Sequence, residues 1–505
     1  MGVRIKAQKA VNSSVQLMKA TVAFFGPPPA VEGRPVLSPE LAAAVAARHS
    51  RCDEGLDKIL GIVDSCESDD VAIGRIFNMI DYGHRSVADL VPISVHLEGI
   101  SVWLAEIIWS LVHTGGGQES STRYCKLRSD SMYHPTMSGP EAAEWGEIVS
   151  HCLRVYDKAC AFWTSVANAR PQLVGITEDM SPQKAERFRK NFVFDRSRYA
   201  IPSVALTNMN ITTWGTEWIR IISQLKSSPW SEAHQAADLL LDEVTLAAPR
   251  LVRHTGSTVA AEADWFSQMD VLDQMTNPST SWMASQHWRA MVKGTDGDRR
   301  AMIEALEHEV SGRARIDINL SSKPWMSLKK CMEFRTNRYD PVGKALSKIP
   351  VIYGWSAVAN AEIRDMNRHR PGIREIGFAP RGFYFAQDKI LEVLGWGDES
   401  MEWLGNDLIH EFLLLAVSLF DFQLKARQGR YSGASADFVY LSALGTELGF
   451  EHTSTLGHLI YECELRTGPG THFRYRRHYL DLIEKMNEQI PGIKKEMLLG
   501  SGEPE

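Results

Sequence analysis

One order of elements runs through this chain twice, and that repetition limits its fold more than any single motif does. An apolar strand at Thr21–Phe25 precedes a Pro-rich loop at 28–36, and apolar residues then recur at helical spacing from Ser38 to Cys66. A strand at Leu90–Leu97 leads into a helix from Ser101 to Val112, ended by the glycines of His113–Gly117. Long amphipathic helices follow at 141–168, 213–226 and 231–248. Between 255 and 305 the pattern loosens into polar sequence dotted with Trp and Met, which reads as a junction. The order then restarts, with a strand at Ser347–Tyr353 and a helix at Ala357–Asn367 that closes in a basic turn. A long helix at Ser400–Leu424 and a helix at Thr455–Leu465 complete it, the latter ending in a basic, Gly-rich turn. Such internal similarity points to duplication. It also suits the length, since 505 residues are too many for one ordinary core.

Composition excludes several classes of function. A net charge of −7 disfavours nucleic acid or an anionic membrane as a bulk partner, so any basic site must be local. The seven cysteines are odd in number, scattered and without a C-x-x-C pair, which argues for reduced thiols and against a disulfide framework or zinc ribbon. The first thirty residues lack the uninterrupted apolar run of a signal peptide, and no stretch is long enough to span a membrane. A soluble, cytoplasmic protein is the expectation.

Three polar clusters carry candidate chemistry. In Gln118–Tyr124 (QESSTRY) a carboxylate, hydroxyls and an arginine follow a triple glycine whose N–H groups are read as uncovered; taken alone this reads first as a polar helix cap and second as a cradle for phosphate and sugar. In Arg364–Gly372 (RDMNRHRPG) Arg364, Arg368 and His369 crowd one side of a helix end, joined by Arg370. Cations there stabilise the helix dipole, yet this density in an acidic protein also suits a multiply charged anion. In Glu464–His478, Arg466 sits at a helix end before a Gly-Pro-Gly turn, while Arg474, Arg476 and Arg477 read as a solvated face.

Arg368-His369-Arg370 and Glu119-x-Ser121-x-Arg123-Tyr124 together resemble the two ends of one signature of flavin-dependent thymidylate synthases, here split between the two halves. Around Glu119 the likeness extends to Tyr82–Ser86 (YGHRS), similar to the family's G-H-x-[ST] step, and to Ser197–Pro202 (SRYAIP), similar to its A-R-x-x-L-P. In the second half Asn337–Pro341 (NRYDP) takes the place of the G-H-x-T-P step without its histidine, and Leu465-Arg466 resembles the family's L-R turn. The likeness covers most of 20–250 and of 310–490. Each half lacks what the other keeps: in the first, Leu111-Val112-His113 stands for the triplet and Leu225-Lys226 for the L-R turn, and in the second no E-x-S-x-R-Y follows Arg370.

The resemblance implies an α+β chain of two tandem copies, each a sheet packed with long helices. The expected domains are residues 1–255 and 309–505, with a junction at 256–308. It implies C5 methylation of a uracil nucleotide, dUMP to dTMP, with FAD, methylenetetrahydrofolate and NADPH. Arg466 would hold the uracil ring and act as the catalytic cation. Nucleotide would also meet Glu119, Ser120, Ser121, Thr122, Arg123, Arg198, Arg364, Asp365 and Arg368, and flavin would meet His84, Ser86, Glu119, Arg368, His369, Arg370 and His458. Family members are homotetramers with sites between subunits, so two fused chains would supply four copies as a homodimer, with one complete site per fused pair. No metal is implied, and no cysteine follows proline as the nucleophile of the flavin-free synthases does.

Two departures keep alternatives open. Asp365 stands where the family has glutamine, and a carboxylate there would accept from a ribose hydroxyl, which points to UMP, the substrate of relatives in nucleoside-antibiotic pathways. The incomplete motifs would equally suit a non-catalytic nucleotide- or flavin-binding paralogue.

Overall fold

The structure is a computed structural model that describes residues 18–23, 37–50, 55–79, 85–122, 132–135, 137, 139–250, 255–275, 278–310, 314–320, 329–427 and 437–501. In chain order the elements that frame the site begin with β1 (Lys19–Ala23), β2 (Pro92–Ser101), α1 (Val102–Leu111) and β3 (Gly116–Glu119). Then come α2 (Gly139–Ala169), α3 (Pro182–Ser197), β4 (Leu206–Trp214), α4 (Gly215–Lys226) and α5 (Ser231–Ala247). The later elements are β5 (Ala314–Ile318), β6 (Pro350–Ala359), α6 (Asn360–Met366), β7 (Ile373–Ile376) and β8 (Gly382–Phe383). Last are α7 (Glu399–Arg427), β9 (Thr446–Thr455), α8 (Leu456–Thr467) and α9 (Phe473–Gln489).

The chain divides into two compact units, one of Met1–Ser120 with Leu206–Ser267 and the other of Ser121–Ala205 with Gln268–Glu505. In the first unit an antiparallel sheet has the order β1-β2-β4-β3. Thr207, Met209, Ile211 and Thr213 alternate inward along β4, the period-two pattern of a strand with one covered face. Ser101 stops β2 and caps α1, its Oγ accepting from the Leu104 N–H at 3.0 Å. Buried Glu232 braces that cap by accepting from the Ser101 N–H at 2.7 Å and its hydroxyl at 2.6 Å. α4 buries Trp218, Ile221, Ile222 and Leu225, and the Trp218 indole donates to the Ile93 carbonyl at 3.0 Å.

In the second unit the sheet has the order β5-β6-β9-β7, with β8 beside β9. The order of the first sheet therefore recurs, and so does an irregularity near the end of its second strand, between Glu98 and Ile100 in β2 and between Trp355 and Val358 in β6. The fold is thus α+β, with helices on two antiparallel sheets of one topology. The long helices α2 and α7 pack together in this unit: the Trp145 and Phe422 rings lie 5.8 Å apart, and Lys158 pairs with Asp407 and Glu411 at 2.7 and 3.0 Å. Residues 199–203 also pair with 442–445, through Ser203 N–H to Ser442 O, Leu444 N–H to Ile201 O and Gly445 N–H to Tyr199 O, each at 2.8 Å.

The structure differs from the sequence reading in two stretches. Gly116–Glu119 forms a strand, so its backbone groups belong to a ladder with β4 instead of lining an open cradle. A Cβ on Gly117 would lie 1.9 Å from the Asn210 carbonyl oxygen, so the glycine permits a close strand approach. The stretch around the expected junction is helical, at Val259–Met275, Pro278–Lys293 and Asp296–Val310. Its aromatic residues pack where they occur: Trp265 lies 5.2 Å from Trp230 in the first unit, and Trp288 touches Phe383, Phe385 and Phe420 in the second. The halves expected from sequence and the compact units are accordingly divided differently, because α2 and α3 pack with the second sheet's helices. Among the described residues no helix is long and apolar enough to cross a membrane.

Candidate active site

Among the described residues a dense group of ionisable side chains lies in the second unit, where the end of α6 meets α8, α9 and the residues after α3. β6 runs directly into α6, whose first turns bury Asn360, Glu362 and Arg364 while Asp365 and Arg368 keep partial exposure. α6 ends at Met366 because the chain must turn through Pro371 and Gly372, and Gly372 has φ 121°, a conformation open to glycine. Arg374, on β7, ties that turn by donating to the carbonyls of Asn367 and His369 at 3.0 and 3.2 Å.

Arg198, from the first half of the sequence, is 2% exposed and reaches two carboxylates of α6. Its guanidinium donates to Glu362 at 3.2 Å and to Asp365 at 3.3 Å, and the Tyr199 hydroxyl donates to the same Glu362 oxygen at 2.9 Å. Burial alone would raise the Asp365 pKa, but Arg198, then Arg368 and Arg466, hold its carboxyl well below the usual carboxylate range. Glu362 is more deeply enclosed, and burial outweighs Arg198 and Tyr199, pushing it up to about 7. His472, at the start of α9, points its Nδ1 toward Glu362 at 3.9 Å and its Nε2 toward the Asp195 carbonyl at 3.1 Å. Arg474, read from sequence as part of a solvated face, is 1% exposed with its guanidinium 4.0 Å from the Tyr384 ring centre. The helical phase of α9 turns it inward, and cation–π contact helps to offset its desolvation.

Arg466 lies in the last turn of α8. Its Nε donates to His369 Nε2 at 2.7 Å, its Nη2 to the Asp365 carbonyl at 3.5 Å, and its guanidinium lies 4.9 Å from the Tyr475 ring centre. Behind His369 stands Glu462, with one oxygen 3.8 Å from His369 Nδ1, 3.5 Å from His452 Nδ1 and 2.8 Å from His458 Nε2. Its other oxygen accepts from the Tyr479 hydroxyl at 2.9 Å. Burial opposes ionisation of Glu462, yet the surrounding His369, His458 and His452 hold its carboxyl well below the usual range. For His369 burial outweighs the pull of Glu462 and, with Arg466 adding to it, keeps the ring neutral. Burial likewise lowers His452 to about 4.

His369, His458 and Glu462 offer ligand atoms within 4.8 Å of one another, a donor set of the kind that binds a divalent metal. The hydrogen bond from Arg466 bears on this. A neutral ring that accepts at Nε2 carries its proton on Nδ1, the nitrogen facing Glu462, and a protonated nitrogen has no lone pair for a metal.

The structure thus gathers Arg198, Asp365, Arg368, His369, His458 and Arg466 in one unit, with Arg368 3.8 Å from Asp365. Arg364 is buried on the same helix, and Arg370 follows His369 with its charge disfavoured by burial and by Arg368. Ser121 and Thr122 also belong to this unit. Glu119 and Ser120 belong to the first unit. There Glu119 accepts from the Trp109 indole at 3.1 Å and the Thr207 hydroxyl at 3.3 Å, and the Ser120 N–H donates to Asn208 O at 2.8 Å. Ser86 falls in the short helix Arg85–Leu90, its side chain outside the description, and His84 and Arg123 lie outside the described residues, as do the loop at 28–36 and Phe25.

Sequence reasoning missed Glu362, Glu462, Tyr199 and His472. The available signal was spacing: His458 and Glu462 are one helical turn apart on α8, as are Glu362 and Asp365 on α6.

No curated protein matches the chain. Residues 36–250 match the family model described as thymidylate synthase complementing protein. That stretch contains the first sheet from β2 to β4, together with Glu119 and Arg198, and it is this part of the chain that is similar to the thymidylate synthase complementing family, whose members are flavin-dependent.

Proposed function

We propose that the chain methylates C5 of a uracil nucleotide, converting dUMP to dTMP with FAD, methylenetetrahydrofolate and NADPH. The observation that carries this reading is the meeting of Arg198, retained in the first half, with Asp365 and Glu362 on the R-H-R helix of the second. Arg198 of the first half and Asp365 and Glu362 of the second thus meet within one compact unit, which decay of a purposeless copy would not favour.

The residues fit a flavin with its anionic pyrophosphate. Burial and then the neighbouring Arg368 disfavour the charge of Arg370, and an anion beside it would relieve that cost. Arg368, His369, Arg370 and His458 would hold FAD. When bound, FAD supplies the hydride and methylene chemistry. Arg466 would donate to the uracil edge where negative charge develops, and its partial burial makes that interaction stronger than in water. Arg198 already pairs with ionised Asp365 and donates to Glu362, so Arg368, with 36% of its side chain exposed, would be the first contact of the 5′-phosphate.

A second reading, UMP as substrate, is favoured by Asp365, whose carboxylate stays ionised and so could accept from a ribose 2′-hydroxyl. The deciding experiment is tritium release from 5-tritiated dUMP and UMP, supplied with FAD, NADPH and methylenetetrahydrofolate. Release is expected, and the faster nucleotide identifies the sugar. No release from either, with a colourless purified protein, would overturn the reading in favour of a non-catalytic paralogue. A homodimer is the assembly this reading implies, testable by light scattering.

A further inference from the structure

We infer that Glu462 is a positioning residue that sets the tautomer of His369 and, through it, the aim of the Arg466 guanidinium. The inference rests on the proposed function for the role of Arg466, but not for the geometry.

Arginine Nε is always a donor, so the 2.7 Å contact to His369 Nε2 requires an unprotonated nitrogen there. The His369 ring is neutral, so its one proton is on Nδ1. That N–H faces a Glu462 oxygen at 3.8 Å, too far for a direct hydrogen bond but close for a buried carboxylate acting through its field. A negative charge nearest Nδ1 favours the tautomer with its proton there. Glu462 is restrained, because one oxygen accepts from the Tyr479 hydroxyl at 2.9 Å and the other lies 2.8 Å from His458 Nε2. His452 cannot take over the role, since its own Nδ1 is 2.6 Å from the Tyr353 hydroxyl and its Nε2 3.0 Å from the Pro371 carbonyl.

The relay therefore runs from carboxylate to imidazole to guanidinium. Carboxylates behind metal-binding histidines fix the ring's tautomer and orientation in a comparable way, and their loss there typically costs about 10–100-fold in affinity or activity. With Nε held by His369, rotation of the guanidinium about its last bonds is restricted and its terminal nitrogens keep one direction. In the opposite tautomer two N–H groups would oppose each other, and Arg466 would be released.

The test uses the full chain with nitrogen-15 in histidine rings and arginine side chains. The expected spectrum shows His369 protonated at Nδ1 and an Arg466 Nε–H shifted downfield and protected from exchange. Glu462→Gln, close in shape but uncharged, should lose that protection and lower kcat by about 10–100-fold with little change in KM. Glu462→Asp should restore part of both. A wild-type His369 protonated at Nε2, an Arg466 signal unchanged in Glu462→Gln, or an aspartate variant as impaired as the glutamine one would each overturn the inference. If the wild type releases no tritium, the proposed function fails while the two resonances still decide this point.

Discussion

The two sheets share an order of strands but put their carboxylates to different uses. In the first, Glu232 holds the backbone and hydroxyl of Ser101, Glu217 accepts from the His113 N–H at 2.6 Å, and Glu119 accepts from Trp109 and Thr207. These acids take neutral donors, apart from Arg220 beside Glu217, which also caps the Leu111 carbonyl. In the second, Glu362, Asp365 and Glu462 face guanidinium and imidazole groups. Lys226 and Arg466, which close equivalent helices, show the contrast most plainly. Lys226 pairs with exposed Asp238 at 3.1 Å, whereas Arg466 turns toward His369. One topology thus supports an end stitched by ordinary hydrogen bonds and another that concentrates charge. Buried charge of this kind is a weak source of stability and a frequent mark of function.

Substitutions at paired positions would sharpen or break that contrast. The largest effect is expected for Arg466→Ala, a loss of about 100–1000-fold in the rate of tritium release, since a donor to developing charge is removed. Comparable loss for Lys226→Ala would show that the first sheet also works as a site. Next is Arg335→Ala. Arg335 and Glu464 form a buried bidentate pair at 2.8 and 2.7 Å, and leaving Glu464 without a cation, with only the Leu498 N–H at 2.9 Å among the described residues, should cost about 3–5 kcal/mol in urea denaturation. Ser101→Ala, which removes a helix cap and one partner of Glu232, should cost about 1–3 kcal/mol by the same measurement.

A smaller effect should appear in the pH dependence. Because the folded state raises Glu362 from 4.5 to about 7, it favours the protonated form, so the contribution to stability is full below 4.5 and is lost as pH rises toward about 7. Glu362→Gln should remove that part of the slope. An unchanged slope would mean that Glu362 is ionised beside Arg198 throughout. The smallest change is expected for Lys226→Ala in stability, within about 1 kcal/mol, as for other exposed pairs.

Much of the fold was legible because its helices are long and periodic. The spans read at 141–168, 213–226 and 231–248 lie within a few residues of α2, α4 and α5, and the restart of the pattern anticipated the second sheet. β3 was hidden because three glycines signal a turn, and only the approach of Asn210 explains why a strand uses them. The helices from Val259 to Val310 were obscured by polar residues among their aromatic anchors, whose packing partners are distant in sequence. At the site, the basic triplet and Arg466 stood out by density. Glu362 and Glu462 did not, because a glutamate on a helix is ordinary until burial and its neighbours are known, and Arg474 was misjudged for the same reason.

The antiparallel pairing of residues 199–203 with 442–445 has a further consequence. Its reciprocal bonds have the form of a two-fold contact, yet both segments belong to one polypeptide. In a homodimer every substitution is written on both sides of such an axis, so a change that suits one side must be tolerated by the other. A fused chain lifts that constraint. Ser203 and Ser442, whose hydroxyls meet at 2.8 Å, could be altered independently, and so could Lys226 and Arg466. Covalent linkage thereby makes asymmetry heritable.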